Sequence, residues 1–235
     1  MKLSRILLVL ALTLGMATQI YAAQTKPVEL AADVIEYDST TGIMTGQGTI
    51  KLTQGNAVVT GSNVNYNTKT QEAVITGGVK LVQDNAVMTA EELRSYDNNH
   101  IIASGDVELV KGDNTLTGPQ IDYYADKSYA VINNNARLKM PDGIMTANKI
   151  EAYMSDNQIV GTGNVHIVSQ TRQLDATADQ ASYYGAKGEQ GRVVLTGNAK
   201  AVQEGNVLQG NKLTIYLDDN AVNAQGRTKL VIQPQ

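Results

Sequence analysis

Two histidines, His100 and His166, and two adjacent carboxylate pairs, Glu91-Glu92 and Asp218-Asp219, are the residues of this chain best suited to proton transfer or metal binding. Neither histidine has an i,i+4 partner or the surrounding carboxylates that a metal site uses. His100 falls in a polar turn after Asp97, and His166 takes an outward position between Val165 and Ile167, so both read as solvated surface groups. Paired carboxylates could serve as acid and base on a glycosidic bond. Neighbours along a strand point to opposite faces, so neither pair converges. The Asp- and Asn-rich turns lack the ligand density of a calcium loop. Seven tyrosines (Tyr37, Tyr66, Tyr96, Tyr124, Tyr153, Tyr184 and Tyr216) could form a sugar-stacking platform, but at this spacing they read as residues closing strand ends. There is no cysteine, which excludes disulfides, thiolate catalysis, cysteine zinc sites and lipoprotein acylation. The expectation is a protein with no catalytic group, metal or cofactor.

The elements that must position these residues are repeated. About ten residues after each tyrosine comes Gly48, Gly77, Gly105, Asn134, Gly163, Gly197 or Gly226, at intervals of 29, 28, 29, 29, 34 and 29 residues. A period near 29 identifies one supersecondary unit used seven times. Around each glycine the chain alternates. Met44, Gly46, Gly48, Ile50 and Leu52 share one face; so do Ala73, Ile75, Gly77, Val79 and Leu81; so do Ile101, Ala103, Gly105, Val107 and Leu109. Period-2 alternation with one apolar face predicts half-buried antiparallel strands. Turns such as Gln54-Gly55-Asn56, Gly112-Asp113-Asn114 and Pro141-Asp142-Gly143 supply residues that tolerate positive φ in tight hairpins. The second strand of each repeat alternates less regularly, as a bulge would make it. Two strands per repeat give 14–16 strands in all, which must fold over into two facing layers because one hairpin cannot bury its own apolar face. The repeated glycine is read as inward-facing and mid-strand, where it would crease every strand at one level. Asn134 then predicts a distorted fourth repeat, and the segment Gly185–Arg192 one lengthened turn.

Lys2, Arg5, the apolar run Ile6 to Ala17 and Tyr21-Ala22-Ala23 predict a cleaved secretory leader over residues 1–23. The run is shorter than the roughly 20 residues of a spanning helix. A single domain over residues 24–235 is expected to follow. Without Lys2 and Arg5 the chain carries 17 basic and 23 acidic residues, a net charge of −6, so it has no nucleic-acid footprint. With no Phe and no Trp, the core must be aliphatic, either narrow or open to something else.

The segments Gly48-Thr49-Ile50-Lys51-Leu52, Gly77-Gly78-Val79-Lys80-Leu81, Gly105-Asp106-Val107-Glu108-Leu109 and Gly163-Asn164-Val165-His166-Ile167, with the opening Ala31-Ala32-Asp33-Val34-Ile35-Glu36-Tyr37, resemble the OstA-like family, the periplasmic lipopolysaccharide-transport bridge proteins of the LptA type. The resemblance covers essentially all of the chain after the leader. It implies an all-β, elongated, folded-over antiparallel β-jellyroll whose apolar groove holds the acyl chains of lipopolysaccharide or a related multi-acylated lipid. It also implies a periplasmic location, head-to-tail self-association, and partners in an inner-membrane extractor and an outer-membrane translocon. The groove would be lined by Met44, Ile50, Leu52, Ile75, Val79, Leu81, Val107, Leu109, Leu138, Val165, Ile167 and Leu230. Val34, Ile35, Leu230 and Ile232 would dock at the open edge strands, which are unpaired and suited to strand addition. Other readings of the same repeats are the membrane-anchored inner-membrane partner, a repeat-built adhesive protein, and a polysaccharide-active β-helix. The hairpin turns oppose the last of these, because parallel strands cannot be joined by two residues.

Overall fold

The computed structural model describes residues 28–96, 100–124, 126–185, 191–217 and 221–233. The expected leader, the turns at 97–99 and 218–220, and residues 186–190 of the insertion lie outside the described residues. The described chain is all-β. A first pair of short strands, β1 (Val28–Ala31) and β2 (Val34–Asp38), is followed by β3 (Ile43–Gln54), β4 (Ala57–Asn67), β5 (Glu72–Gln83), β6 (Ala86–Tyr96), β7 (His100–Lys111) and β8 (Asn114–Tyr124). Then come β9 (Tyr129–Met140), β10 (Gly143–Tyr153), β11 (Gln158–Ser169), β12 (Leu174–Tyr184), β13 (Arg192–Gln203) and β14 (Asn206–Tyr216), and a last short pair, β15 (Val222–Gln225) and β16 (Lys229–Val231). Sixteen strands fit the two-strand repeat. Consecutive strands from β3 to β15 are hydrogen-bonded neighbours; β1 and β2 both pair with β3, and β15 and β16 both pair with β14. The chain forms two compact units, one of residues 28–112 with 119–128, the other of 113–118 with 129–233.

In both units the odd-numbered strands carry one residue more than their even-numbered partners at mid-strand. Gln47 pairs with Asn63 but Ile50 with Gly61; Thr162 pairs with Gln180 but Val165 with Ala178. The surplus sits on the repeat glycine. Gly163 and Asn164 hold φ of +76° and +49°, and Gly77 and Gly78 hold +87° and +69°. A left-handed glycine opening a bulge bends and twists its strand. The crease inferred from sequence is therefore a row of bulges, and the glycine's face differs from the inward one expected. Gly48 and Gly77 are exposed and Gly105 and Gly163 half-exposed, because the left-handed turn takes them out of the alternation. The fourth repeat is not distorted: Asn134 and Asn135 take +64° and +51°, the same conformation, which Asn tolerates without glycine's help.

The bulges fold each unit's sheet back on itself. In the second unit Tyr216 pairs with Arg192 at one end of β13, while Gln203 at its other end pairs with Leu174. On a flat sheet Arg172, beside Leu174, would lie about 36 Å from Tyr216 at ~3.3 Å per residue. Instead the Arg172 guanidinium donates to the carbonyl oxygens of Tyr216, at 3.3 Å, and Leu217, so opposite strand ends meet. The layers bury Ile132, Met145, Ile150, Val165, Leu195 and Leu213 almost completely in this unit, and Ile50, Val59, Val79, Leu81, Met88 and Val107 in the other. Aliphatic side chains dominate both cores, and Tyr123 is buried as well. At about 1.5–3 kcal/mol for each large side chain fully removed from water, their burial is the main favourable term in a fold without disulfides.

Candidate functional site

The first unit contains an apolar cavity of about 410 Å³. Its walls come from both layers. Val28 and Leu30 of β1, Leu52 of β3 and Val59 of β4 lie on one side of the bulge row. Ile35 of β2, Met44 of β3, Tyr66, Ala73 and Ile75, then Leu93, Ser95 and Ile101 lie on the other, with Thr68 from the β4–β5 turn. Eight of the thirteen lining residues are Val, Leu, Ile, Ala or Met side chains on β1 to β5. Sites that hold apolar ligands are concave, mostly apolar and provided with a few polar groups. Here the polar groups are Thr68, Ser95 and the phenol of Tyr66.

Of the residues expected to line a groove, Met44, Leu52 and Ile75 line this cavity. Ile50, Val79, Leu81, Val107, Leu109, Leu138, Val165 and Ile167 all face inward and are buried, Ile50 and Leu81 completely. Leu230 is 60% exposed on β16. About half of the cavity residues missed from sequence come from even strands. Val59, Leu93 and Ser95 were lost because the missing residue at the bulge reverses the inward phase between Gly61 and Val64 and between Ala90 and Leu93. Reading each half of an even strand separately would have found them.

The expected docking residues Val34, Ile35, Leu230 and Ile232 are 53%, 47%, 60% and 70% exposed. In the first unit the exposed large apolar side chains are Val28, Val34, Ile35, Tyr37 and Ile43; in the second they are Leu230, Val231 and Ile232. All lie on or beside the terminal strands. The first edge is two short strands, β1 and β2, both paired with β3. It breaks at Ala32-Asp33, level with the bulge of β3, and the Asp33 carboxylate accepts the Thr49 N–H at 2.9 Å. One of its oxygens and its own Cβ crowd the place a Cβ on Gly48 would take, and Gly48 holds a φ of +93°, which together explain why that position is glycine. Comparable polar residues cover other bulges: Ser62 lies over Gly77, Glu91 over Gly105, Asn148 over Gly163 and Asp179 over Gly197.

His100 is not a solvated turn residue. It opens β7, and its ring stacks on Tyr124 at 4.3 Å and 8° and on Tyr96 at 5.6 Å. Its Nε2 lies 3.1 Å from Asp122, which also accepts from Gln120 at 2.6 Å. Tyr129 and Tyr153 likewise meet on Glu151, whose carboxylate also pairs with Lys149 at 2.9 Å. Burial would raise the Glu151 carboxyl, but the Tyr129 hydroxyl and Lys149 outweigh it and hold it below the ordinary carboxylate range. These tyrosines therefore brace strand ends, and Tyr66 also meets the cavity. His166 is exposed, as expected, and faces Asp175 across the hairpin at 3.2 Å. No three His, Asp or Glu side chains converge on a metal position among the described residues.

Residues 11–72, 68–158 and 89–221 match the family described as the LptA/(LptD N-terminal domain) LPS transport protein. The chain belongs to that family. The LPS-assembly protein LptD of Nitrosomonas europaea is 29% identical over 68 residues, which are 29% of this chain and 9% of that protein. The chain thus spans only a small part of that relative's length. The crystal structure of LptH, the LptA homologous periplasmic component of the conserved lipopolysaccharide transport device from Pseudomonas aeruginosa, is 17% identical and aligns over 89% of this chain and 96% of that one, with a TM-score of 0.20.

Proposed function

We propose that the protein is a periplasmic carrier that holds the acyl chains of lipopolysaccharide between its folded layers and links inner- to outer-membrane components of the same transport system. The observation that carries this reading is the apolar cavity of about 410 Å³ beneath the first edge strands. Burying a twelve-carbon acyl chain contributes roughly 10 kcal/mol before costs, at about 0.8 kcal/mol per CH₂. Solubilising lipid at that gain needs no catalysis, in keeping with a transport family. Copies join head to tail, and partners of the same build are met, through the two open edges, where the exposed apolar side chains concentrate; strand addition there satisfies backbone groups and covers those side chains together. The leader over residues 1–23 is removed on export, which N-terminal sequencing of the mature protein checks.

A photoactivatable phenylalanine analogue at Ile75 or Leu93 is expected to crosslink lipopolysaccharide when the protein is isolated from its own periplasm. The same analogue at the outward-facing Lys80 is expected to give none. Equal labelling at all three positions, in folded protein, would overturn the reading.

A further inference from the structure

The contact of Arg172 with Tyr216 and Leu217 has a bearing on access to the interior of the second unit. Arg172 lies in the short turn joining β11 to β12, at the end of the sheet where Gln203 pairs with Leu174. Tyr216 and Leu217 close β14 at the other end. Its guanidinium donates to both of their carbonyl oxygens, and its own carbonyl accepts from the Gln203 side chain at 3.2 Å. Leu217 is itself held by an N–H bond to the Gly191 carbonyl at 2.8 Å. The turn is tied down locally too, by the Arg172 N–H to Ser169 Oγ at 3.3 Å. The other long-range turn-to-turn bonds join neighbouring turns at the same end of the sheet, as in Lys69 to Thr40 and Thr171 to Asp142. Arg172 instead crosses between the two ends of the folded sheet.

We propose that Arg172 is a clasp joining the two ends of the second unit's folded sheet, and that it sets how readily an acyl chain enters between that unit's layers. The inference rests on the carrier reading above. A planar guanidinium donating to two oxygens at once is geometrically demanding. Its bonds must break before the layers can part, and they reform when the interior empties. Because the accepting groups are backbone carbonyls, no single side-chain change on β14 can replace the clasp; only the arginine can be removed.

The test places the photoactivatable analogue at Leu213, in the second unit, or at Ile75, in the first, in the full-length mature protein with added lipopolysaccharide. Arg172→Ala is expected to raise labelling at Leu213 about tenfold, the effect of losing roughly one charge-assisted hydrogen bond, and to leave Ile75 unchanged. Arg172→Lys, which retains one donor group and the charge, is expected to fall between. The chain has no cysteine, so Arg172→Cys with Leu217→Cys can be bridged by a short bismaleimide. Bridging is expected to bring Leu213 labelling below wild type. Unchanged labelling at Leu213 in both Arg172→Ala and the bridged protein, with Ile75 still labelled, overturns the clasp and leaves the carrier reading intact. Loss of labelling at Ile75 in the wild-type background overturns the carrier reading, and the clasp with it.

Discussion

Asn134 stands where the other repeats carry glycine, holds a φ of +64° and is exposed to solvent. Its contribution is therefore a backbone one. Asn134→Gly is expected to alter stability by a few tenths of a kcal/mol, while Asn134→Val, which forces a β-branched residue into the left-handed region, is expected to cost about 1–2 kcal/mol. Urea unfolding of both variants checks this, and equal stabilities would remove the bulge explanation. The second position of the bulge shows the same preference: Gly78, Asp106, Asn135, Asn164 and Asn198 all have positive φ, and all are residue types that tolerate it. That rule was present in the sequence at every one of these positions. It went unread because only the first glycine of each pair marks the repeat. His100 was misplaced for the opposite reason. Its polar neighbours Asp97 to Asn99 look like a loop, but stacking on Tyr96 and Tyr124 depends on cross-strand register that composition does not display.

At the scale of elements, the repeat is an asymmetric hairpin, a long strand with a bulge and a partner one residue short of it. Each pairing repeats the offset, so the creases line up within a unit rather than averaging out. The first edge shows what the offset needs. With no full strand before it, β3 presents its bulge to Asp33, which sits in the gap between β1 and β2 and accepts the Thr49 N–H. Asp33→Ala is expected to cost about 1 kcal/mol and to loosen β1 and β2 specifically. Hydrogen exchange should quicken by several-fold at Leu30 and Ile35, which line the cavity, and stay constant in β5 and β7. Uniform quickening would mean that Asp33 supports the whole unit instead. Strand existence and hairpin turns were legible from alternation and from Gly, Asn and Asp placement. The inward faces of the even strands were not, because one missing residue inverts a period-2 pattern midway.

At the scale of the whole molecule, the exposed large apolar side chains among the described residues lie on or beside the terminal strands. Natural sheets normally blunt an edge with charge, proline or a bulge; here the breaks after Ala31 and after Gln225 shorten the edge strands, yet Val34, Ile35, Leu230 and Ile232 remain exposed. Sedimentation of the mature protein is expected to show a mass that rises with concentration, and Ile35→Arg together with Leu230→Arg is expected to hold it at monomer. A wild-type monomer at every concentration would exclude edge-to-edge assembly.

The sequence by itself determined the repeat, its antiparallel strands, the aliphatic core and the family, because period, alternation and turn chemistry are local and recur seven times. Only the tertiary structure decided which aliphatic residues meet a cavity and which are sealed, as Met44, Leu52 and Ile75 differ from Ile50 and Leu81 although all five face inward. It also decided that Arg172 reaches the far end of β14. Both depend on how far each bulged strand bends, and that angle is set by the layers closing on one another rather than by any residue's neighbours in the chain.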